Sequence, residues 1–253
     1  MSVSRLKGSG MIEQILLTAT PIRTFSGTVH RTSATGFFFE RDERLFLVTS
    51  RHVLVDEVSD HRPDRVEIEL HTDAANLARS VGFSVPLYRD GTAVWRQGED
   101  SAGLIDVAVV EIERPALPAT AVFSAFRPAD IPGTDVQPEI GSALLVIGFP
   151  LGFHDTLHHL PVVRQAVIAS SFGLRFQGKG YFLTDSRTHR GTSGAPVVMR
   201  TGQDAGDPDR LPYRLLGIHS ARLDVGTRDL KLDEALGLNC VWYADILMTL
   251  TSS

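Results

Sequence analysis

Three residues sit where simple packing would not place them. His52 closes the apolar run of VTSRHVL (48–54), Asp106 interrupts GLIDVAVVEI (103–112), and Ser193 lies in the glycine-rich stretch DSRTHRGTSGAPVV (185–198). A serine hydroxyl is a weak nucleophile until an oriented base takes its proton. A histidine can be that base, and a carboxylate can orient it. Gly191 and Gly194 allow a sharp turn around Ser193. Such a turn can aim two backbone N–H groups at one point, where a transition state develops negative charge. Each residue also has a plain reading: a Gly-Ser turn, a structural histidine beside a strand, a capping aspartate. A carboxylate inside an apolar run is costly unless it is paired or hydrogen-bonded, so Asp106 asks for partners.

The elements that must position these groups read as short strands. Apolar or alternating runs bounded by Gly, Pro and Asp occur at 14–20, 34–40, 45–50, 65–71, 105–112, 142–149, 162–171, 180–185, 195–199 and 214–221. Helical periodicity is confined to YADILMTL (243–250), with a single turn after His52. Many short strands in 253 residues predict an all-β protein built of barrels or a sandwich. The Pro- and Ala-rich stretch 114–138 breaks the rhythm and reads as a linker. It divides the chain into units at 12–120 and 121–253. The polar segment 201–212 reads as an exposed, mobile loop.

Composition narrows the function classes. A net charge of −5 gives no electrostatic case for nucleic acid or an anionic membrane. Cys240 is the single cysteine, so no internal disulfide forms, and it reads as a buried core thiol. QILLTAT (14–20) is too short and polar for a signal-peptide core, and no run approaches membrane-spanning length. The cytoplasm is the expected compartment. His154, His158 and His159 follow a glycine and precede Pro161, which makes them loop histidines rather than metal ligands. Trp95 and Trp242 read as packing residues. No metal or organic cofactor is expected, and oligomeric state and regulatory partners are not legible.

Taken together, the order His52, Asp106, Ser193 in an all-β chain resembles a chymotrypsin-fold (trypsin-like) serine protease of the disulfide-free bacterial type. TSRHV, IDVAVV and GTSGAPV are similar to the histidine, aspartate and nucleophile motifs of that family. LLGIHS resembles its substrate-binding strand, and GFPLG (148–152) a turn common in its bacterial members. The resemblance implies two six-stranded antiparallel barrels and a C-terminal helix, with the active site between the barrels. His52 would be general base then acid, Asp106 would fix its tautomer, and Ser220 would help hold Asp106. The backbone N–H groups of Gly191 and Ser193 would form the oxyanion hole. The chain departs from the family at Thr192, where zymogen-activated members carry an Asp. That implies activity without N-terminal processing. Arg51 stands where Ala is usual, and a cation against His52 would lower its pKa.

The pocket residues resemble those of glutamyl endopeptidases and of 3C-like and potyviral proteases. Strand alternation puts Tyr213, Leu215, Gly217 and His219 on one face and Leu216, Ile218 and Ser220 on the other. With Ser220 toward Asp106, His219 faces the pocket, opposite Thr188. Both can donate to a Glu or Gln side chain. Arg187, at the offset where trypsins carry an Asp, with Arg190 or Arg222, would favour Glu. The expected function is a serine endopeptidase acting on protein or peptide substrates. The alternatives are a catalytically silent binding or scaffold module of the same fold and an esterase using the same triad.

Overall fold

Short strands carry the architecture. In the computed structural model residues 12–133, 136–201, 210–222 and 236–252 are described. The loop expected at 201–212 lies largely outside them. Nine strands come first: β1 (Ala19–Ser26), β2 (Val29–Arg41), β3 (Arg44–Thr49), β4 (Arg65–His71), β5 (Ser80–Pro86), β6 (Tyr88–Arg89), β7 (Thr92–Ala93), β8 (Trp95–Asp100) and β9 (Gly103–Ile112). Seven of them form one sheet in the order β5-β4-β1-β2-β3-β9-β8, while β6 and β7 pair separately. Six more follow: β10 (Ala143–Gly148), β11 (Val162–Ile168), β12 (Tyr181–Asp185), β13 (Pro196–Arg200), β14 (Tyr213–Arg222) and β15 (Leu238–Tyr243). These close into a barrel in the order β10-β11-β12-β15-β14-β13. A one-turn helix α1 (Arg51–Leu54) follows β3, and α2 (Ile246–Leu250) lies at the C-terminal end. None of the described helices is long and apolar enough to cross a membrane.

The unbroken apolar runs have a packing cause. Phe37, Phe39, Phe46, Val48, Val107 and Val109 point into a core shared with Ile147, Phe149, Val198 and Ile218 of the barrel. The residues between them, Phe38, Leu45, Leu47, Ala108 and Val110, fill the interior of the first sheet. Strands buried on both faces read as continuous hydrophobic runs, not as alternation. A third cluster, with Leu144, Val146, Phe182 and Val197, fills the barrel. Burying each of these large side chains stabilises the fold by about 1.5–3 kcal/mol. The shared core clamps the two units face to face, and the edge of that contact is where the candidate site lies.

The structure departs from the sequence pattern in three places. Residues 14–20 do not form one strand: Gln14–Thr18 make a 3-10 turn before β1, and the Thr18 hydroxyl closes it by donating to the Ile15 carbonyl at 2.7 Å. β5 and β8 carry little apolar signal because they are the two ends of the first sheet, where one residue of β5 and none of β8 is fully buried. In β14 the strict alternation fails. A register shift opposite Val197 and Val198 places Leu215 and Ile218 together in the shared core, with Leu216 in the barrel interior. Tyr213 and Leu215 therefore do not share a face with His219. A second register shift, against β15, falls between His219 and Arg222.

Candidate active site

The first half of the site is built where β3 ends. Thr49 pairs with Ala108 of β9, so the turn of α1 starts within reach of Asp106. Asp106 Oδ1 accepts the backbone N–H of His52 at 2.8 Å, and Oδ2 contacts the ring Nδ1 at 2.7 Å. The Ser220 hydroxyl, from β14, also donates to Oδ2. The carboxylate that looked costly in its strand is thus satisfied by three donors. With Nδ1–H donating to Asp106, the Nε2 lone pair of His52 is left as the basic site. The imidazole is 40% exposed. Burial disfavours its cation, but the hydrogen bond and charge of Asp106, with a smaller pull from Asp56, outweigh that and raise its pKa above 6.5. Arg51 does not oppose this. Its guanidinium turns away to Gln97 at 2.8 Å and to Glu57.

The second half is the turn around Ser193. Gly191 and Gly194 have φ of +91° and +86°, a region that side chains rarely adopt. Space demands glycine as well. A Cβ on Gly191 would lie 2.6 Å from the Phe149 carbonyl, and one on Gly194 would lie 2.9 Å from Thr49 Cα. The turn is closed by Thr192 N–H to His189 O (3.2 Å), Ala195 N–H to Thr192 O (2.9 Å) and Gly194 N–H to His219 O (2.7 Å). Leu151 N–H holds the Arg190 carbonyl at 2.6 Å. In a trans peptide the carbonyl and the next N–H point opposite ways, so Gly191 N–H faces away from Leu151. Among the described residues, neither Gly191 N–H nor Ser193 N–H is used in a hydrogen bond.

Thr35 was not singled out by its sequence, yet it braces this turn from the first sheet. Its hydroxyl donates to Gly191 O at 2.7 Å and accepts Phe149 N–H at 3.0 Å. Its backbone N–H donates to Ser193 O at 3.0 Å, and its own carbonyl accepts the Thr49 hydroxyl at 2.8 Å. One residue of β2 therefore ties the Ser193 turn, the GFPLG turn and the end of β3 together. Its only trace in the sequence is a small polar residue directly ahead of GFFF.

Ser193 and His52 line one cleft of about 640 Å3, with Val53, Leu151, Gly152 and Arg190. Among the described residues no hydrogen bond joins their side chains. Beside it, His219 is 3% exposed and Thr188 4%. β15 links them: Val241 pairs with His219, and Asn239, fully buried, accepts the Thr188 hydroxyl through Oδ1. Asn239 Nδ2 donates to the carbonyls of Ser186 (2.7 Å) and Gly237 (2.9 Å). Asn239 is a second residue that sequence pattern did not flag. Arg187 is exposed between the buried Ser186 and Thr188. Arg190 lines the cleft itself, and the side chain of Arg222 lies outside the described residues.

No cluster of three or more His, Cys, Asp or Glu able to hold a metal occurs among the described residues. His158 pairs with Asp155 at 2.8 Å, and His154 contacts the Gly152 carbonyl at 2.6 Å. Cys240 is half-buried rather than fully so, and burial pushes its thiol up to about 11, which keeps it from being a thiolate. Trp95 and Trp242 stack edge-on against Tyr88 and Tyr181.

A closed six-stranded barrel packed on a second β sheet, with His52 and Asp106 on one and Ser193 on the other, is the chymotrypsin fold. The chain belongs to the trypsin-like peptidase domain family, whose model matches residues 34–206, a span that includes all three residues. Among solved structures, the serine endoprotease from Yersinia pestis is similar at TM-score 0.54 and 16% identity, over 92% of this chain and 61% of that one. The Rv3671c protease from M. tuberculosis in its active form is similar at TM-score 0.51 and 14% identity, over 93% of this chain and 79% of that one. At such identity the likeness is one of fold. The chain spans about three-fifths of the length of the Yersinia pestis structure. No curated protein matches the sequence.

Proposed function

We propose that this chain is a serine endopeptidase that cleaves peptide bonds through an acyl-enzyme formed on Ser193. The observation that carries the proposal is the carboxylate of Asp106, which holds both the backbone N–H and the ring Nδ1 of His52 and is itself held by Ser220. In this reading His52 Nε2 takes the Ser193 proton as the oxygen attacks the scissile carbonyl. Gly191 and Ser193 N–H groups receive the oxyanion. The imidazolium, stabilised by Asp106, then gives its proton to the leaving amine. Water repeats the cycle to release the acid. Thr192 offers no carboxylate for an N-terminal activation switch, so the proposal includes activity without processing.

The specificity reading rests on His219. It is retained as the donor that selects Glu or Gln before the scissile bond, at the pocket formed with Thr188. The single hydroxyl hydrogen of Thr188 is engaged by Asn239, so Thr188 acts in this pocket by shape and as an acceptor. A peptide panel varying the residue before the scissile bond tests both levels. We expect cleavage that disappears in Ser193→Ala, with Glu or Gln peptides turned over best. His219→Ala should erase that preference while leaving residual cleavage. A parent enzyme that prefers Leu or Ala would refute the pocket, and a panel left intact would refute the peptidase.

A further inference from the structure

Most described arginines are neutralised by a carboxylate: Arg44 pairs with Glu111, Arg51 with Glu57, Arg114 with Glu40. Two that line the cleft are not. Arg31 of β2 and Arg190, next to the oxyanion-hole glycine, are both exposed, and neither has an ion pair or side-chain hydrogen bond among the described residues. One acidic side chain, Asp56, lines the same cleft. It is spent locally, accepting the Ser59 hydroxyl at 2.5 Å and the Val58 N–H at 3.2 Å. His52 and His61 complete the titratable lining. His61 is buried, with Nε2 on the Val53 carbonyl at 3.0 Å. With both imidazoles neutral the lining carries two cations against one anion.

The position of these cations relative to the chemistry gives them a meaning. Thr188, His219 and Asn239, the walls of the pocket for the acyl side, are buried away from this cleft and do not line it. The cleft that Ser193 and His52 line is also lined by Arg31, Thr32, Ser33 and Ala34. The leaving amine must depart toward His52, because that ring supplies its proton. The segment after the scissile bond therefore enters this cleft, whose lining includes Arg31, Leu151 and Arg190.

Resting on the peptidase reading above, we propose that Arg31 and Arg190 form a subsite for an acidic side chain one or two residues after the scissile bond. A carboxylate there would complete charges that the fold leaves open, and a lysine would meet two like charges. Because the arginines are solvent-exposed, the gain is that of a surface pair, and salt screens it.

The test uses internally quenched peptides with a fixed, amidated end that differ only by Asp, Asn or Lys at the first or second position after the cleaved bond. We expect kcat/KM for the better Asp peptide to exceed that of its Lys partner by about three- to tenfold at low salt and the gap to shrink in 0.5 M NaCl. Arg31→Glu and Arg190→Glu should each reverse the Asp-to-Lys ratio. The ratio is read within one variant, so a general loss of rate in either does not obscure it, and Arg31→Glu alters no residue of the nucleophile turn. Cleavage with equal rates for Asp and Lys, or a ratio that neither variant moves, overturns the subsite and leaves the peptidase standing. No cleavage of any peptide overturns both.

Discussion

Asp106 does more at the residue scale than hold a ring. Its two oxygens fix the backbone and the side chain of His52 separately, so the carboxylate is anchored on the main chain while it orients the ring. Asp106→Asn keeps the size but offers the ring an N–H where it needs an acceptor. We expect kcat for peptide cleavage to fall by about 10⁴-fold with little change in KM. The pH profile belongs to the same contacts. A histidine whose folded pKa is raised stays protonated to higher pH, so the neutral base, and kcat/KM with it, appears with a midpoint above 6.5. Asp56→Asn should move that midpoint down. The sign for stability is the reverse: protonated His52 stabilises the fold fully below pH 6.5, and that contribution is lost as pH rises through its folded pKa. An acid limb at or below 6.5, or one that Asp56→Asn leaves in place, would contradict this account of the ring.

The turn around Ser193, the proposed oxyanion hole, is not held by its own strand alone. Its glycines supply the backbone shape, and Thr35 of β2 supplies the restraint from across the cleft. Thr35→Val removes the hydroxyl at equal volume and leaves Gly191 O and Phe149 N–H without that partner, each costing about 1–3 kcal/mol. We expect a lower Tm and a kcat for peptide cleavage lower by about tenfold or more, with Thr35→Ser restoring most of both. Wild-type kcat in Thr35→Val would mean that the turn stands without its brace. The same element shows what sequence can and cannot reveal. His52, Asp106 and Ser193 were legible because their types are unusual for their local runs. Strands such as β4 and β9 were legible because their burial is written in apolar residues. Thr35 was not, since its partners lie 114 and 156 positions away and a threonine in a strand is unremarkable. Asn239 was hidden for the same reason. β5 and β8 escaped because edge strands need no apolar face. The bulge in β14 misassigned Tyr213 and Leu215, because a single extra residue inverts every alternation before it.

At the scale of the whole molecule, the two β units share one hydrophobic core, and the groups proposed to do the chemistry are divided between them, His52 and Asp106 on one and Ser193 on the other. The site can hold its geometry only while that core is intact. Phe46, fully buried in it from the first sheet, is remote from the chemistry and tests this coupling. Phe46→Ala should cost about 3–5 kcal/mol, and calorimetry should still show one transition at lower temperature, not two. Separate melting of the units would mean that the shared core does not couple them. The central claim, that Ser193 is a nucleophile activated by His52, is tested most directly by the intact mass after treatment with a fluorophosphonate. The account predicts one covalent adduct, located on Ser193, absent in Ser193→Ala and formed far more slowly in His52→Ala. A folded protein that takes up no adduct, or one whose labelling is unchanged in Ser193→Ala, would contradict it.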